Sequence, residues 1–116
     1  EILNNNKLIL NNSKILLMGV AYKKDISDMR ESPAIDIAKL LMDKNVEVSY
    51  YDPYVEEFKV SGHMINKEID SNSFKNYDML LVLTPHSVFA NLEFANQDTI
   101  VFDTTGSDFI KSSERI

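Results

Sequence analysis

The chain contains no cysteine. That absence excludes disulfides, thiolate metal sites and any thiol nucleophile. Glycine is scarce as well, with three residues in 116. Only Gly19 fits the phosphate-binding pattern G-x-G-x-x-G, because Ala21 and Lys24 stand where the later glycines belong. Positive charge is the minority sign: twelve Lys and Arg against eighteen Asp and Glu give a formal charge of −6. Non-specific binding to nucleic acid or to an anionic membrane is therefore not expected. Long apolar runs are missing too. The continuous ones, residues 15–18 and 79–83, are strand-sized and far short of a spanning helix. The opening "EILNNNKLILNNSK" lacks the charged start and apolar centre of a signal peptide. It begins with Glu rather than Met, which suggests a fragment, a processed chain or a trimmed one.

What is present is ordinary for one globular domain: 44% hydrophobic and 26% charged residues. "KILLMGV" (residues 14–20) runs apolar without alternation and reads as a strand covered on both faces. Ser32 and Pro33 form a strong helix start, with Ser32 as cap and Pro33 preset at the first helical position. Ala34, Ile37, Ala38 and Leu41 then share one helical face, and Asn45 can close the helix. "VEVSYYD" (residues 46–52) alternates into a second strand ended by Asp52-Pro53. A short strand is expected near residues 63–65 and a helical turn near 71–75. "DMLLVLT" (78–84) and "TIVFD" (99–103) read as further strands, with helical pieces between them at 85–96. Buried strands alternating with helices predict an α/β fold: a doubly wound, mainly parallel sheet in a Rossmann-like three-layer domain.

In such a sheet, ligands lie beyond the carboxyl ends of the strands, where residues 19–31 fall. With the glycine fingerprint incomplete, side chains must supply the contacts. Tyr22 offers a flat face, and Lys23 and Lys24 offer cations suited to phosphate oxygens. The alternative is a solvated loop in which Asp25, Asp28, Arg30 and Glu31 pair among themselves.

The stretch "KILLMGVAYKKDISDMRESPAIDIAKLLMDKNVEVSYYDPYV" resembles the opening of the C-terminal, UDP-binding domain of the UDP-glucose/GDP-mannose dehydrogenase family. Its "AYKKDISDMRESPA" segment is similar to the branch acting on UDP-N-acetylhexosamines (glucosamine or mannosamine). "YDMLLVLTPHSVF" and "IVFDT" resemble that family's later strands, so the likeness spans roughly residues 12–107. It implies a domain of an NAD-dependent enzyme that oxidises C6 of a UDP-sugar to the uronate, through a thiohemiacetal on a central cysteine. It also implies partners for this chain: UDP-sugar, NAD, the N-terminal and central domains, and a homo-oligomer in the full-length enzyme. The setting it implies is cytoplasmic polysaccharide biosynthesis. By this resemblance Tyr22 and Lys23 contact the nucleotide sugar and Arg30 reaches the NAD of an adjoining domain, while Lys24 and Asp25 shape the loop. Residues 1–13 are then expected to be the end of a linker from an upstream domain, and residues 14–116 the UDP-binding domain.

One departure stands out. Many relatives carry Asp-x-Arg after the last strand, where this chain has Thr105 in "DTTG". A threonine can hydrogen-bond a phosphate but offers no bidentate cation. Asp52 sits where a Rossmann acidic residue would bind ribose, but its Pro53 neighbour favours a turn. His63 and His86 have no ligand spacing, so no metal is expected. His86 is read as a hydrogen-bonding residue near a helix start, and Tyr50 and Tyr51 as one core and one surface aromatic. A phospho-receiver of similar layout needs acidic residues after the first strand and an Asp after the third. This chain has Ala21-Tyr22-Lys23 and Thr84-Pro85 at those places. A stand-alone α/β nucleotide-binding or oligomerisation module without catalysis is the remaining alternative. Covalent catalysis needs its nucleophile, so no residue of this chain is assigned a catalytic role. The 116-residue chain alone is expected to form no NADH from NAD and any UDP-sugar. Appearance of NADH absorbance above background would contradict that assignment.

Overall fold

The apolar runs become the centre of a parallel sheet. The computed structural model describes residues 12–21, 32–91, 99–105 and 114–115. Its strands are β1 (Lys14–Met18), β2 (Glu47–Tyr51), β3 (Lys59–Val60), β4 (His63–Met64), β5 (Asn66–Lys67), β6 (Met79–Val82), β7 (Ile100–Asp103) and β8 (Glu114–Arg115). Six of them form one sheet in the order β5-β2-β1-β6-β7-β8, and every pairing in it is parallel. The doubly wound α/β expectation holds.

Period-two alternation divides the buried strands between two cores. Ile15, Leu17, Met79 and Leu81 face one side, with Ala34, Ala38, Leu41 and Tyr50. Leu16, Met18, Leu80 and Val82 face the other, with Phe74, Phe89 and Val101. A strand buried on both faces needs apolar residues at every position, which is why "ILLM" does not alternate in sequence.

The first layer is α1 (Pro33–Asp43). Ser32 caps it by accepting a hydrogen bond from the Ala34 amide, and Pro33 opens it. Asn45 leaves it in the left-handed region at φ 66°, a conformation asparagine tolerates better than most residues. On the opposite face the expected helical pieces are 3-10 helices, Ser71–Asn76 and Ser87–Asn91. Phe74 and Phe89 drive them against the sheet. Residues 92–98 lie outside the described part. The short strand expected near 63–65 is β4, the second arm of a β3–β4 hairpin. Its two-residue turn, Ser61-Gly62, has positive φ at both positions, the twist a tight hairpin requires. Among the described residues no helix is long and apolar enough to cross a membrane.

Tyr50 is core, as expected, but Tyr51 is not a surface aromatic. It is half-buried, with its ring 5.0 Å from Phe74 and 6.1 Å from Phe89, centroid to centroid. The physical reason is the second hydrophobic layer, which covers the sheet face that a single-sided reading leaves to solvent.

The chain moves from β1 outward through β2 to β5, then returns to β6 on the other side of β1. The strand order therefore reverses between β1 and β6, the place where open α/β sheets form a crevice at their carboxyl edge. Gly19 stands at that point with φ 81°. A Cβ there would lie 2.2 Å from the Thr84 carbonyl oxygen and 2.8 Å from the Thr84 Cβ. Gly62 has the same φ but nothing within 4 Å of such an atom. Gly62→Ala should therefore cost only the left-handed conformation, about 1 kcal/mol. Gly19→Ala adds a backbone clash and should cost about 3 kcal/mol or more. Urea unfolding of the two variants checks the contrast, and equal costs would show that the approach to Thr84 is readily relaxed.

Candidate functional site at the carboxyl edge of the sheet

The strands β2 and β6 flank β1 on either side, so their carboxyl ends stand roughly 9–10 Å apart across it. Asp52 follows β2 and His86 follows β6. Their side chains meet over the end of β1, with His86 Nε2 2.8 Å from Asp52 Oδ2. Both side chains are fully buried. The same carboxylate oxygen accepts the backbone N–H of Val20 at 2.8 Å and of Ala21 at 3.2 Å. The other oxygen accepts from the Tyr54 amide at 2.9 Å.

A turn after a first strand usually offers its amides to an anion. Here the anion is built in. Burial alone would push the Asp52 carboxyl upward, but the His86 hydrogen bond, the Val20 and Tyr54 amides and the histidine's charge outweigh it. They hold the carboxyl below its ordinary value of 3.8. Because an ionised carboxylate only accepts, Nε2 of His86 carries the hydrogen.

The surroundings fix both partners. The His86 ring lies 4.7 Å from Tyr54 and 5.4 Å from Phe89, centroid to centroid. The His86 carbonyl accepts from the Phe89 amide, so the residue does sit at a helix start, as expected. On the other flank, the Tyr50 hydroxyl lies 3.0 and 2.9 Å from the Val55 and Glu56 carbonyl oxygens and holds the turn after Asp52. Burial, followed by the charges of Glu56, Asp52 and Glu57, pushes that phenol up to about 12.

Two hydroxyls complete the anchoring of the segment after Gly19. Thr84 Oγ1 donates to the Ala21 carbonyl at 2.5 Å. Ser32 Oγ donates to the Val20 carbonyl at 2.6 Å while capping α1. The chain between Ala21 and Ser32 thus leaves and returns through one hydrogen-bonded neck. Tyr22, Lys23 and Arg30, the residues assigned to ligands from the sequence, lie outside the described residues, as do Lys24 and Asp25. Of the residues bounding their segment, Ala21 is bonded to Thr84 and Ser32 to Val20, both at the carboxyl edge.

Thr105 follows β7 at the same edge. Its hydroxyl donates to Asp103 Oδ1 at 2.5 Å and its amide to the same oxygen at 2.8 Å. That proton is committed to the turn and is not offered to a phosphate. Thr104 donates to the Val82 carbonyl.

Asp52 is indeed a turn residue, since Val55 bonds back to its carbonyl. Sequence reasoning nevertheless missed its union with His86. Nothing in the local pattern joins two residues 34 positions apart. The available signal was the strand order, which puts the ends of β2 and β6 on either side of β1.

The geometry also tests the fit of a dinucleotide to this turn. Thr84 fills the space above Gly19, and Asp52 occupies the two amides that would meet a pyrophosphate. The described residues do not fit a dinucleotide pyrophosphate at the end of β1.

Comparison with known proteins agrees with this architecture. Residues 16–107 match the family description "UDP-glucose/GDP-mannose dehydrogenase family, UDP binding domain". The chain is 42% identical over 82 residues to a UDP-N-acetyl-D-mannosamine dehydrogenase of Methanococcus aeolicus, a match covering 71% of this chain and 18% of the relative. It is 40% identical over 78 residues to a UDP-glucose 6-dehydrogenase of Arabidopsis thaliana, covering 67% and 15%. Among solved structures, the native UDP-N-acetyl-mannosamine dehydrogenase of Staphylococcus aureus superposes with a TM-score of 0.65 at 34% identity. That match covers 97% of this chain and 27% of the other. The chain thus spans about a fifth of the length of the curated relatives it matches.

The stability contribution of Asp52 has a defined sign. Its folded pKa lies below the unfolded one, so the contribution is complete above pH 3.8 and is lost as pH falls through the lower, folded value. Removing one member of a buried pair strands the other, so Asp52→Ala should cost about 3–5 kcal/mol near neutrality. In urea titrations across pH, the gap between wild type and Asp52→Ala should narrow only below about pH 4. A gap that already closes at pH 6 would assign the stabilisation to another group.

Proposed function

Because the chain belongs to the UDP-glucose/GDP-mannose dehydrogenase family and carries its UDP-binding domain, we propose that it forms the nucleotide-sugar wall of an NAD-dependent UDP-sugar 6-dehydrogenase. The substrate class in this reading is a UDP-N-acetylhexosamine, oxidised at C6 to the uronate. Support comes from the UDP-N-acetyl-D-mannosamine dehydrogenase of M. aeolicus and from the S. aureus structure of a similarly named enzyme.

The observation that carries the reading is the anchored neck at the strand-order reversal. Val20, Ala21 and Ser32 are held at the carboxyl edge by Asp52, Thr84 and the start of α1. The neck fastens both ends of the segment between Ala21 and Ser32 at the end of β1. In that segment Lys23 supplies charge to the phosphates or sugar oxygens and Tyr22 supplies a flat face. Arg30 reaches toward NAD, which a different domain holds. That division agrees with the poor fit of a pyrophosphate to the turn after β1. When bound, NAD accepts the hydride; the residues of this chain bind, orient and shield the substrate. In the same reading residues 1–13 join this domain to an upstream one, residues 14–116 form the domain, and the full-length enzyme is a homo-oligomer.

A charge-assisted hydrogen bond is worth roughly 1.5–3 kcal/mol, or about tenfold to a hundredfold in dissociation constant. Lys23→Ala in the intact enzyme should therefore weaken UDP-sugar binding by that factor and leave NAD binding unchanged. Arg30→Ala should do the reverse. Titration calorimetry on enzyme lacking its thiol nucleophile reads both affinities without turnover. UDP-sugar binding by Lys23→Ala as tight as wild type would reject the loop assignment.

A further inference from the structure

We propose that the cleft between the carboxyl ends of β2 and β5 is a binding site for a neutral sugar ring bearing a vicinal diol. The site involves neither Tyr22 nor Lys23.

The sheet itself makes the cleft. Tyr50 and Lys67 are the last paired residues of β2 and β5, and the Glu68 amide still donates to the Tyr50 carbonyl at 2.7 Å. Beyond that bond the chain after β2 turns at Asp52, where the Val55 amide bonds back to the Asp52 carbonyl. The chain after β5 runs on to the 3-10 helix Ser71–Asn76. The two strands therefore part. The opening between them has a volume of about 150 Å³ and is lined by Tyr51, Asp52, Pro53, Lys67, Glu68 and Ile69. Pockets for drug-sized ligands run to about 300–1,000 Å³, so this one suits a single ring and not a whole nucleotide.

The lining selects the kind of ring. Lys67 is the one cation among these six residues, and Glu56 Oε1 lies 3.5 Å from its ammonium. Glu68 and Asp52 add two carboxylates, so there is no surplus of positive charge for a phosphate. Hydroxyls match what remains. The Tyr51 hydroxyl has no hydrogen-bond partner among the described residues, and a phenol both donates and accepts. Glu68 accepts the Tyr77 hydroxyl on one carboxylate oxygen at 2.9 Å and the Asp70 amide on the other at 3.2 Å. Each oxygen keeps a second lone pair, so the pair can receive two neighbouring hydroxyls of one ring. The same two bonds hold the carboxylate in one orientation beforehand, which lowers the ordering cost of binding. Pro53 and the largely exposed Ile69 add apolar surface for the C–H face of a sugar.

The position in the fold agrees. In a doubly wound domain, an acidic residue beside the end of the second strand meets a ribose diol. Asp52 stands there but is turned inward to Val20, Ala21 and His86. Glu68, from the neighbouring strand, brings a carboxylate to the same edge in its place.

The test is an NMR titration of the ¹⁵N-labelled 116-residue chain, following the amides of Asp52, Glu68 and Ile69. The probes are methyl β-D-riboside, its 2-deoxy counterpart, N-acetylmannosamine and inorganic phosphate. The riboside should shift these amides with a dissociation constant on the order of 1–10 mM, the range open to a single ring with few contacts. The 2-deoxy sugar, which lacks the vicinal pair, should bind about tenfold more weakly. Glu68→Gln should weaken the riboside about tenfold, the effect of a lost bond to a charged group, and Tyr51→Phe about two- to tenfold. Tyr51→Phe removes only a hydroxyl without a protein partner, so it decides the matter even if Glu68→Gln fails to fold. Tighter binding of the riboside assigns the cleft to a nucleoside ribose, and tighter binding of N-acetylmannosamine to a hexose; either supports a sugar site. No shift with any sugar, a response to phosphate alone, or equal binding of the riboside and its 2-deoxy form would overturn the proposal. So would undiminished sugar binding by Tyr51→Phe.

Discussion

A single carboxylate oxygen, Oδ2 of Asp52, receives the Val20 amide, the Ala21 amide and the His86 ring. The amides come from the end of β1, the acceptor's own neighbour in the sheet, and the imidazole from the end of β6, the strand beyond it. Burying a carboxylate is costly unless its lone pairs are filled. Here the depressed pKa shows that the hydrogen bonds more than offset the desolvation. Removing this anion would leave two backbone amides and an imidazole facing a void. The rest of the carboxyl edge is arranged around that requirement: the Asp52 turn braced by Tyr50, the aromatic walls about His86, and the hydroxyls of Thr84 and Ser32.

The same constraint changes what the glycine after β1 is for. In a dinucleotide-binding turn, a missing side chain lets a phosphate approach the backbone. At Gly19 the space is taken by the backbone of Thr84, so the residue serves the close approach of two loops of the protein itself. The incomplete glycine fingerprint and the internal carboxylate are two signs of one fact. The end of β1 is a structural joint.

Much of this was legible in the chain. Ser32-Pro33 announced the helix start by cap and proline geometry, and the observed N-cap bond is the expected one. The unalternating "ILLM" announced a strand covered on both faces, because only a two-sided layer makes every position apolar. The carboxyl-edge location followed from strand order. The Asp52–His86 pair was not legible, because its partners become neighbours only through the placement of β2 and β6 about β1. Tyr51 was misread for a similar reason: the layer that half-buries it is built by Phe74 and Phe89 from two short 3-10 helices, whose weak period leaves little trace in sequence. Thr105 could be named as a departure from the family pattern, but its bond to Asp103 depends on turn geometry.

The joint at the end of β1 also depends on long-range assembly of the sheet. Its three contributing segments are far apart along the chain, and each bond at Oδ2 closes a loop of more than thirty residues. Loop closure of that kind is paid in chain entropy before contacts reward it. Pairing of β2 with β1 brings the carboxylate to the amides, and pairing of β6 with β1 brings the imidazole. A chain with β6 detached therefore lacks the imidazole at Oδ2 and the Thr84 hydroxyl at the Ala21 carbonyl. The full set of bonds at the end of β1 therefore exists only when β2, β1 and β6 have all been assembled.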